Sequence, residues 1–182
     1  MRINTVDNQV KYNKPAILLH WLMVLLIFAL FGLGWYMVDL PKGSTERTWF
    51  FALHKSVGLT VAILAVLRLG WRMFSGVPAL PDSIPGWDRL LASLTHRLLY
   101  VFMFIQPVSG YISSSFSGYM TRFWGMPLPQ WGWKDPVLNE LFTDIHVASS
   151  VALLGLIFLH VSGVLYHQFF KHDDILSRMR PH

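Results

Sequence analysis

Four stretches of this chain are apolar enough and long enough to cross a lipid bilayer, and no other feature restricts the fold as strongly. A membrane helix needs roughly 20 mostly apolar residues. We expect such helices over approximately residues 16–38, 49–72, 90–112 and 145–170. Charged residues make up only 14% of the sequence, whereas soluble domains carry about 25%. The sequence therefore predicts an all-α fold, an integral membrane four-helix bundle that forms a single domain over residues 1–182.

The distribution of lysine and arginine predicts the orientation of this bundle. Ten lie in the N-terminus, the second connection with its flanks and the tail: Arg2, Lys11, Lys14, Arg68, Arg72, Arg89, Arg97, Lys171, Arg178 and Arg180. Five lie in or beside the first and third connections: Lys42, Arg47, Lys55, Arg122 and Lys134. Because cytoplasmic segments carry the excess of positive charge, we expect both termini to be cytoplasmic. The net charge of +5 then reflects topology and contact with membrane lipid, with no nucleic-acid partner.

The absence of cysteine restricts the possible cofactors. It excludes iron–sulfur clusters held by thiolates, thiolate zinc sites and the Cys-x-x-Cys-His attachment of covalent haem. Any haem must therefore be held without a covalent bond, by histidine or methionine.

Six of the eight histidines lie in or beside the predicted membrane segments, where polar side chains are costly and usually functional. They are His20, His54, His96, His146, His160 and His167. His146 and His160 are fourteen residues apart, which on a helix is nearly four turns and a rise of about 21 Å. They therefore share one face of the fourth helix at opposite depths, and His167 extends that face by two turns.

The other histidines match these two depths. His54 opens the second helix on the exterior side, at the level of His146, while His20 and His96 lie at the cytoplasmic level of His160. Two imidazoles from facing helices can supply both axial ligands of a haem iron inside a helical bundle. We assign His54 with His146 to an exterior haem and His20 with His160 to a cytoplasmic haem.

Several alternatives remain open on these grounds. His96 competes with His20 as the partner of His160. Arg68 is predicted to bind haem propionates, but it would also serve as a positive flank of its helix. The histidines would also suit zinc, single interhelical hydrogen bonds, or a transporter without haem, although no carboxylate lies inside the predicted segments to complete a metal site or a proton path. Gly58, Gly110 and Gly163 would allow close approach of a neighbouring helix or of a flat macrocycle, and ordinary packing of small residues predicts the same contacts.

Four segments resemble the bacterial cytochrome b561 family and, within it, the superoxide oxidases. They are LLHWLMVLL at 18–26, HKSVGLTVAILAVLRLGWR at 54–72, HRLLYVFMFIQPVSGY at 96–111 and IHVASSVALLGLIFLHVSGVLYHQFFKHDDILSRMRP at 145–181. The resemblance implies two non-covalent haems b, with bis-histidine ligation that falls on His20, His54, His146 and His160. It also implies a ubiquinone site on the cytoplasmic side, near His167 and His96.

The same resemblance implies a multi-pass protein of the bacterial inner membrane that oxidises superoxide on the periplasmic side and reduces ubiquinone. Lys55, beside His54, would then attract the superoxide anion or hold a propionate, and His167 would help to deliver protons to the quinone. A second hypothesis is a membrane-anchor subunit that passes electrons between a partner dehydrogenase or hydrogenase and quinone. Its redox partner would dock on the long, tryptophan-rich third connection on the periplasmic side.

Overall fold

Four long helices make up most of the computed structural model, which describes residues 11–79, 84–173 and 175–180. They are α1 (Lys14–Asp39), α2 (Thr45–Ser75), α3 (Gly86–Phe116) and α4 (Pro136–Tyr166). All four are long and apolar enough to cross a membrane. The predicted all-α bundle of four membrane-length helices is confirmed. Arg2, which entered the orientation argument, lies outside the described residues.

Three of the helices begin earlier than their apolar runs indicate. α2 begins at Thr45 rather than near 49, α3 at Gly86 rather than near 90, and α4 at Pro136 rather than near 145. The added residues are polar in α2 and mixed in α3 and α4, and the first turns of α2 and α4 are capped by side chains. The Ser44 hydroxyl accepts a hydrogen bond from an amide in the first turn of α2, and the Asp135 carboxylate accepts from two amides in the first turn of α4. Because caps of this kind satisfy amides that have no partner within the helix, the helices extend beyond the apolar segments that marked them.

The third connection contains a small hairpin, although its sequence indicates only an irregular loop. Strand β1 (Arg122–Phe123) pairs antiparallel with β2 (Met126–Pro127). Trp124 and Gly125 form the turn with φ of 47° and 91°, and two-residue hairpin turns commonly need positive φ at both positions. The Trp124 backbone amide donates to the Ser56 hydroxyl at 3.1 Å, and its indole donates to the Thr60 hydroxyl at 3.1 Å. The hairpin is thereby attached to the first half of α2.

The packed core lies in the middle of the bundle. Ala65 is fully buried and packs with Met23 and Val61. Partly buried neighbours surround them: Leu26, Ile27, Leu30, Leu64, Met103 and Phe104. Along every contributing helix these residues lie between the two histidine depths. The core therefore separates an outer level, at the end of the bundle with the third connection, from an inner level, at the end with both termini.

The chain after α4 crosses the inner end of the bundle. A π-helical turn (His167–Lys171) is followed by a 3₁₀ helix (Ile175–Met179). We call this 3₁₀ helix the C-terminal strap. The buried Arg178 donates to the carbonyls of Pro78 and Ala79, each at 2.9 Å. The indole of Trp21 donates to the carbonyl of the last strap residue at 2.7 Å. These bonds tie the end of the chain to α1 and to the connection between α2 and α3.

Candidate functional site

Two pairs of histidines face each other at the two levels of the bundle. At the outer level the rings of His54 on α2 and His146 on α4 have centroids 6.2 Å apart and planes at 78°. At the inner level the rings of His20 on α1 and His160 on α4 have centroids 6.3 Å apart and planes at 80°. α4 therefore contributes one imidazole to each level, in agreement with the helical spacing of its histidines.

His96 also approaches His160, but at a different distance. Its ring centroid lies 5.1 Å from that of His160, with the planes at 62°. A histidine nitrogen binds a metal ion at about 2.0 Å, so two imidazoles on opposite sides of one iron have centroids about 6 Å apart. The His20–His160 pair has this separation, whereas His96 lies too close to His160. The spacing therefore favours His20 over His96 as the second axial ligand.

The hydrogen bonds of His146 suit an axial ligand. Its Nδ1 lies 2.9 Å from the carbonyl oxygen of Gln106 on α3, and donating to that oxygen leaves Nε2 free for iron. Histidine ligands nearly always donate their second nitrogen in this way, which holds the ring orientation. The Gln106 side-chain amide also donates to the His146 carbonyl at 3.0 Å and to the Ser149 hydroxyl at 2.7 Å. By contrast, the buried Nδ1 of His54 has no hydrogen-bond partner.

Glycines lie against both outer imidazoles. A Cβ atom on Gly34 of α1 would lie 3.5 Å from Cε1 of His54, and one on Gly110 of α3 would lie 3.1 Å from Cε1 and Nδ1 of His146. Of the three glycines expected to permit close approach, only Gly110 does so, towards an imidazole; an added Cβ on Gly58 or Gly163 would meet nothing within 4 Å. Gly34 and Gln106 were not identified from sequence, because a single glycine or glutamine in a membrane helix forms no recognisable motif.

The four helices are not equally close to one another. Close backbone packing joins α1 with α2, α2 with α3, and α3 with α4. Within the described part of the chain, α4 has no comparable backbone packing against α1 or α2, although its histidines face side chains from both. At the outer level the ring spacing, the His146 hydrogen bond, the glycines and this separation together fit a flat macrocycle between two imidazoles. At the inner level the ring spacing and the separation fit one.

Arg68 lies at the inner level, as its position on α2 predicts. Its guanidinium donates to the Ala16 carbonyl of α1 at 2.8 Å. It is also near enough to His20 and His160 to interact with both electrostatically. A cation at this place can compensate a propionate, while its hydrogen bond also joins α1 to α2.

A cavity of about 310 Å³ opens beside His96 at the inner level. Its lining residues come from α2 and α3: Leu69, Arg72, Ser93, His96, Arg97 and Tyr100. The guanidinium carbon of Arg72 lies 5.8 Å from the centre of the Tyr100 ring. His167, which the family resemblance groups with His96, does not line this cavity. The cavity contains several hydrogen-bond donors next to an apolar bundle, which suits a ligand with carbonyl groups and an apolar body.

Lys55 lies in a polar network at the outer level. Its ammonium group donates to the Ser114 hydroxyl at 2.7 Å, and the hydroxyls of Ser114 and Thr121 are 2.5 Å apart. Across residues 11–79, 84–173 and 175–180, no carboxylate forms an ion pair with Lys55. The side chain is half-buried next to His54 and thus presents a positive charge near the outer histidine pair.

His167 meets a carboxylate that its sequence context does not suggest. Its Nδ1 lies 2.7 Å from Oδ2 of Asp173. Asp173 is six residues further along the chain, a spacing that an uninterrupted α-helix would place on another face. The π-helical turn brings the two side chains together, and sequence periodicity carries no signal for such a turn.

The described part of the chain holds no group of three or more histidine, aspartate or glutamate side chains arranged around a single metal ion. Zinc sites normally use at least three protein ligands. A bis-histidine haem would need only two protein ligands, because the porphyrin would supply the remaining four, and the paired histidines fit that requirement.

Comparisons with known proteins identify the family of the chain. A family model described as prokaryotic cytochrome b561 matches residues 11–182. The chain is 28% identical over 180 residues to cytochrome b561 homolog 2 of Escherichia coli strain K12, and the match covers 93% of this chain and 90% of the relative. It is 26% identical over 175 residues to cytochrome b561 homolog 1 of the same strain, covering 94% and 97%. It is also 28% identical over 172 residues to cytochrome b562 of Cereibacter sphaeroides, covering 92% and 94%.

Proposed function

The chain belongs to the prokaryotic cytochrome b561 family, and on that premise we propose that it oxidises superoxide at the outer level and reduces ubiquinone at the inner level. Membership makes it a multi-pass protein of the bacterial inner membrane that binds haem b and transfers electrons. Two haems, the donor and the acceptor are our proposal. When bound, the haems supply one-electron carriers; the chain supplies ligation, spacing and a dry interior.

The observation that carries this proposal is the pair of matching ring separations, 6.2 Å between His54 and His146 and 6.3 Å between His20 and His160. Two sites at opposite depths suit transfer across a bilayer, whereas one site would not span it. The mid-bundle core around Ala65 lies between them and excludes water from the path.

The side chains at the two ends of the bundle support the proposed donor and acceptor. Lys55 supports an anionic donor, because its ammonium group lies beside His54 without a carboxylate partner in the described residues. The cavity lined by His96, Arg97 and Tyr100 supports a quinone acceptor, because these side chains can donate hydrogen bonds to its carbonyl oxygens. The reaction balances: two superoxide anions each lose one electron and form oxygen, and one quinone gains two electrons and two protons.

Haem quantification combined with superoxide-driven quinone reduction tests this function. We expect two haems b per purified chain, and reduction of a soluble ubiquinone when superoxide is generated enzymatically. Superoxide dismutase in the reaction is the control and should abolish reduction. If the haem-replete protein is not reduced by superoxide, the donor assignment is refuted. A purified protein without reduced-haem absorption bands would support a transporter instead.

A second candidate, the membrane-anchor subunit, is favoured by the exposed third connection. Trp131 and Trp133 are 79% and 72% exposed, and aromatic side chains of this kind are common in protein interfaces. An interfacial membrane belt uses the same residues. Co-purification distinguishes the two functions, because an anchor subunit should reduce quinone only with its partner dehydrogenase or hydrogenase present.

A further inference from the structure

We propose that Asp173 is a positioning residue for His167 in the delivery of protons to the quinone, an inference that rests on the proposed quinone reduction. The sequence suggests a role for His167 alone. Its pairing with Asp173 emerges only from the fold of the chain after α4.

The contact itself has the geometry of an oriented imidazole. Nδ1 of His167 lies 2.7 Å from Oδ2 of Asp173, and the two side chains are only 13% and 21% exposed. A carboxylate that accepts from Nδ1 holds the ring in one orientation and leaves Nε2 as the nitrogen that exchanges protons. Asp173 would therefore act through His167 without touching the quinone.

The backbone around the pair is shaped to make this contact. The Asp173 amide donates to the His167 carbonyl at 3.2 Å, and His172 between them has a φ of 57°. This positive φ is a left-handed backbone conformation, which is disfavoured for residues other than glycine. Such conformations concentrate at functional sites. The C-terminal strap beyond is anchored by Arg178 and Met179, so both sides of the turn are held.

The proposed step is a proton transfer. His167 does not line the cavity beside His96, so water links the two. Protonated His167 gives its Nε2 proton to this water and becomes neutral, and the water gives a proton to a carbonyl oxygen of the quinone as the quinone is reduced. Water on the inner side then returns a proton to His167. Asp173 accepts from Nδ1 and so keeps Nε2 as the nitrogen that exchanges protons, as the carboxylate of a catalytic triad does for its histidine.

The test compares Asp173→Asn, Asp173→Glu and the control Asp39→Asn in the purified, haem-loaded full chain. Asp39 is an exposed carboxylate at the end of α1. For each protein, haem content, thermal stability, the rate of haem reduction by superoxide, and kcat and KM for a soluble ubiquinone are measured in H2O and D2O.

We expect Asp173→Asn to keep its haem, its stability and its rate of reduction by superoxide, while kcat for the quinone falls about 10- to 100-fold and its solvent isotope effect rises. KM should change little, Asp173→Glu should recover part of kcat, and Asp39→Asn should match the parent protein. Unchanged kcat in Asp173→Asn would overturn the inference. Loss of haem or stability in both Asp173 variants would also overturn it, in favour of a structural role. If the parent protein itself fails to reduce quinone, the proposed function fails with it.

Discussion

Replacing Gly110 by alanine tests the outer haem site directly. The new Cβ would lie 3.1 Å from two atoms of the His146 ring, whereas carbon atoms in contact prefer about 3.5–4.0 Å. The ring must therefore move by about 0.5 Å to restore ordinary contact. Metal–ligand distances tolerate only about 0.2 Å, and His146 is also held by the Gln106 carbonyl at 2.9 Å.

We expect Gly110→Ala to weaken haem binding at the outer level by about 10- to 100-fold, as loss of a supporting contact around a metal ligand does. The inner haem should remain. Haem content and reduced-minus-oxidised spectra measure the effect, with His146→Ala as the reference for a missing outer haem.

Gly34→Ala is the matched control, because its Cβ would lie at 3.5 Å from His54, an ordinary contact. Both substitutions favour helix formation by about 1 kcal/mol, so neither should unfold the bundle. Two fully bound haems in Gly110→Ala, or equal losses in both variants, would refute the assignment of His146 as a ligand pressed against Gly110.

The inner level, the outer level and the orientation each give one more prediction. His20→Ala should lose one haem, whereas His96→Ala should keep both haems and raise KM for quinone, since only the His20 ring has the spacing of a second ligand. Loss of a haem in His96→Ala but not in His20→Ala would contradict this. Lys55→Met should keep both haems, and the rate of haem reduction by superoxide should fall about tenfold and depend less on salt. An unchanged rate and salt dependence in stopped-flow measurements would contradict a role of Lys55 in attracting superoxide. Because the chain has no cysteine, the variants Lys134→Cys and Arg180→Cys can each be labelled with an impermeant maleimide in intact cells. Only Lys134→Cys should react, and labelling of Arg180→Cys alone would show the opposite orientation.

The membrane fold could be predicted from sequence because its causes are local. Backbone groups in lipid must be paired within the segment, so an apolar run of sufficient length has to be a helix. The depths of His146 and His160 follow for the same reason, since the rise per residue of a helix is constant. The first turns of α2 and α4 were not predicted, because they lie outside the continuous apolar runs and depend on the caps Ser44 and Asp135.

The relation between helices depended on tertiary structure. His20 and His96 share a depth, and only the packing of α1 and α3 around α4 separates their distances to His160 into 6.3 and 5.1 Å. The approach of Asp173 to His167 likewise could not be predicted from the sequence, because it depends on the fold of the chain after α4. Sequence alone determined which segments cross the membrane and at what depth each histidine lies, because helix geometry is a property of the backbone. Which side chains meet was decided by the rotation and packing of whole helices, which depend on contacts between residues far apart in the chain.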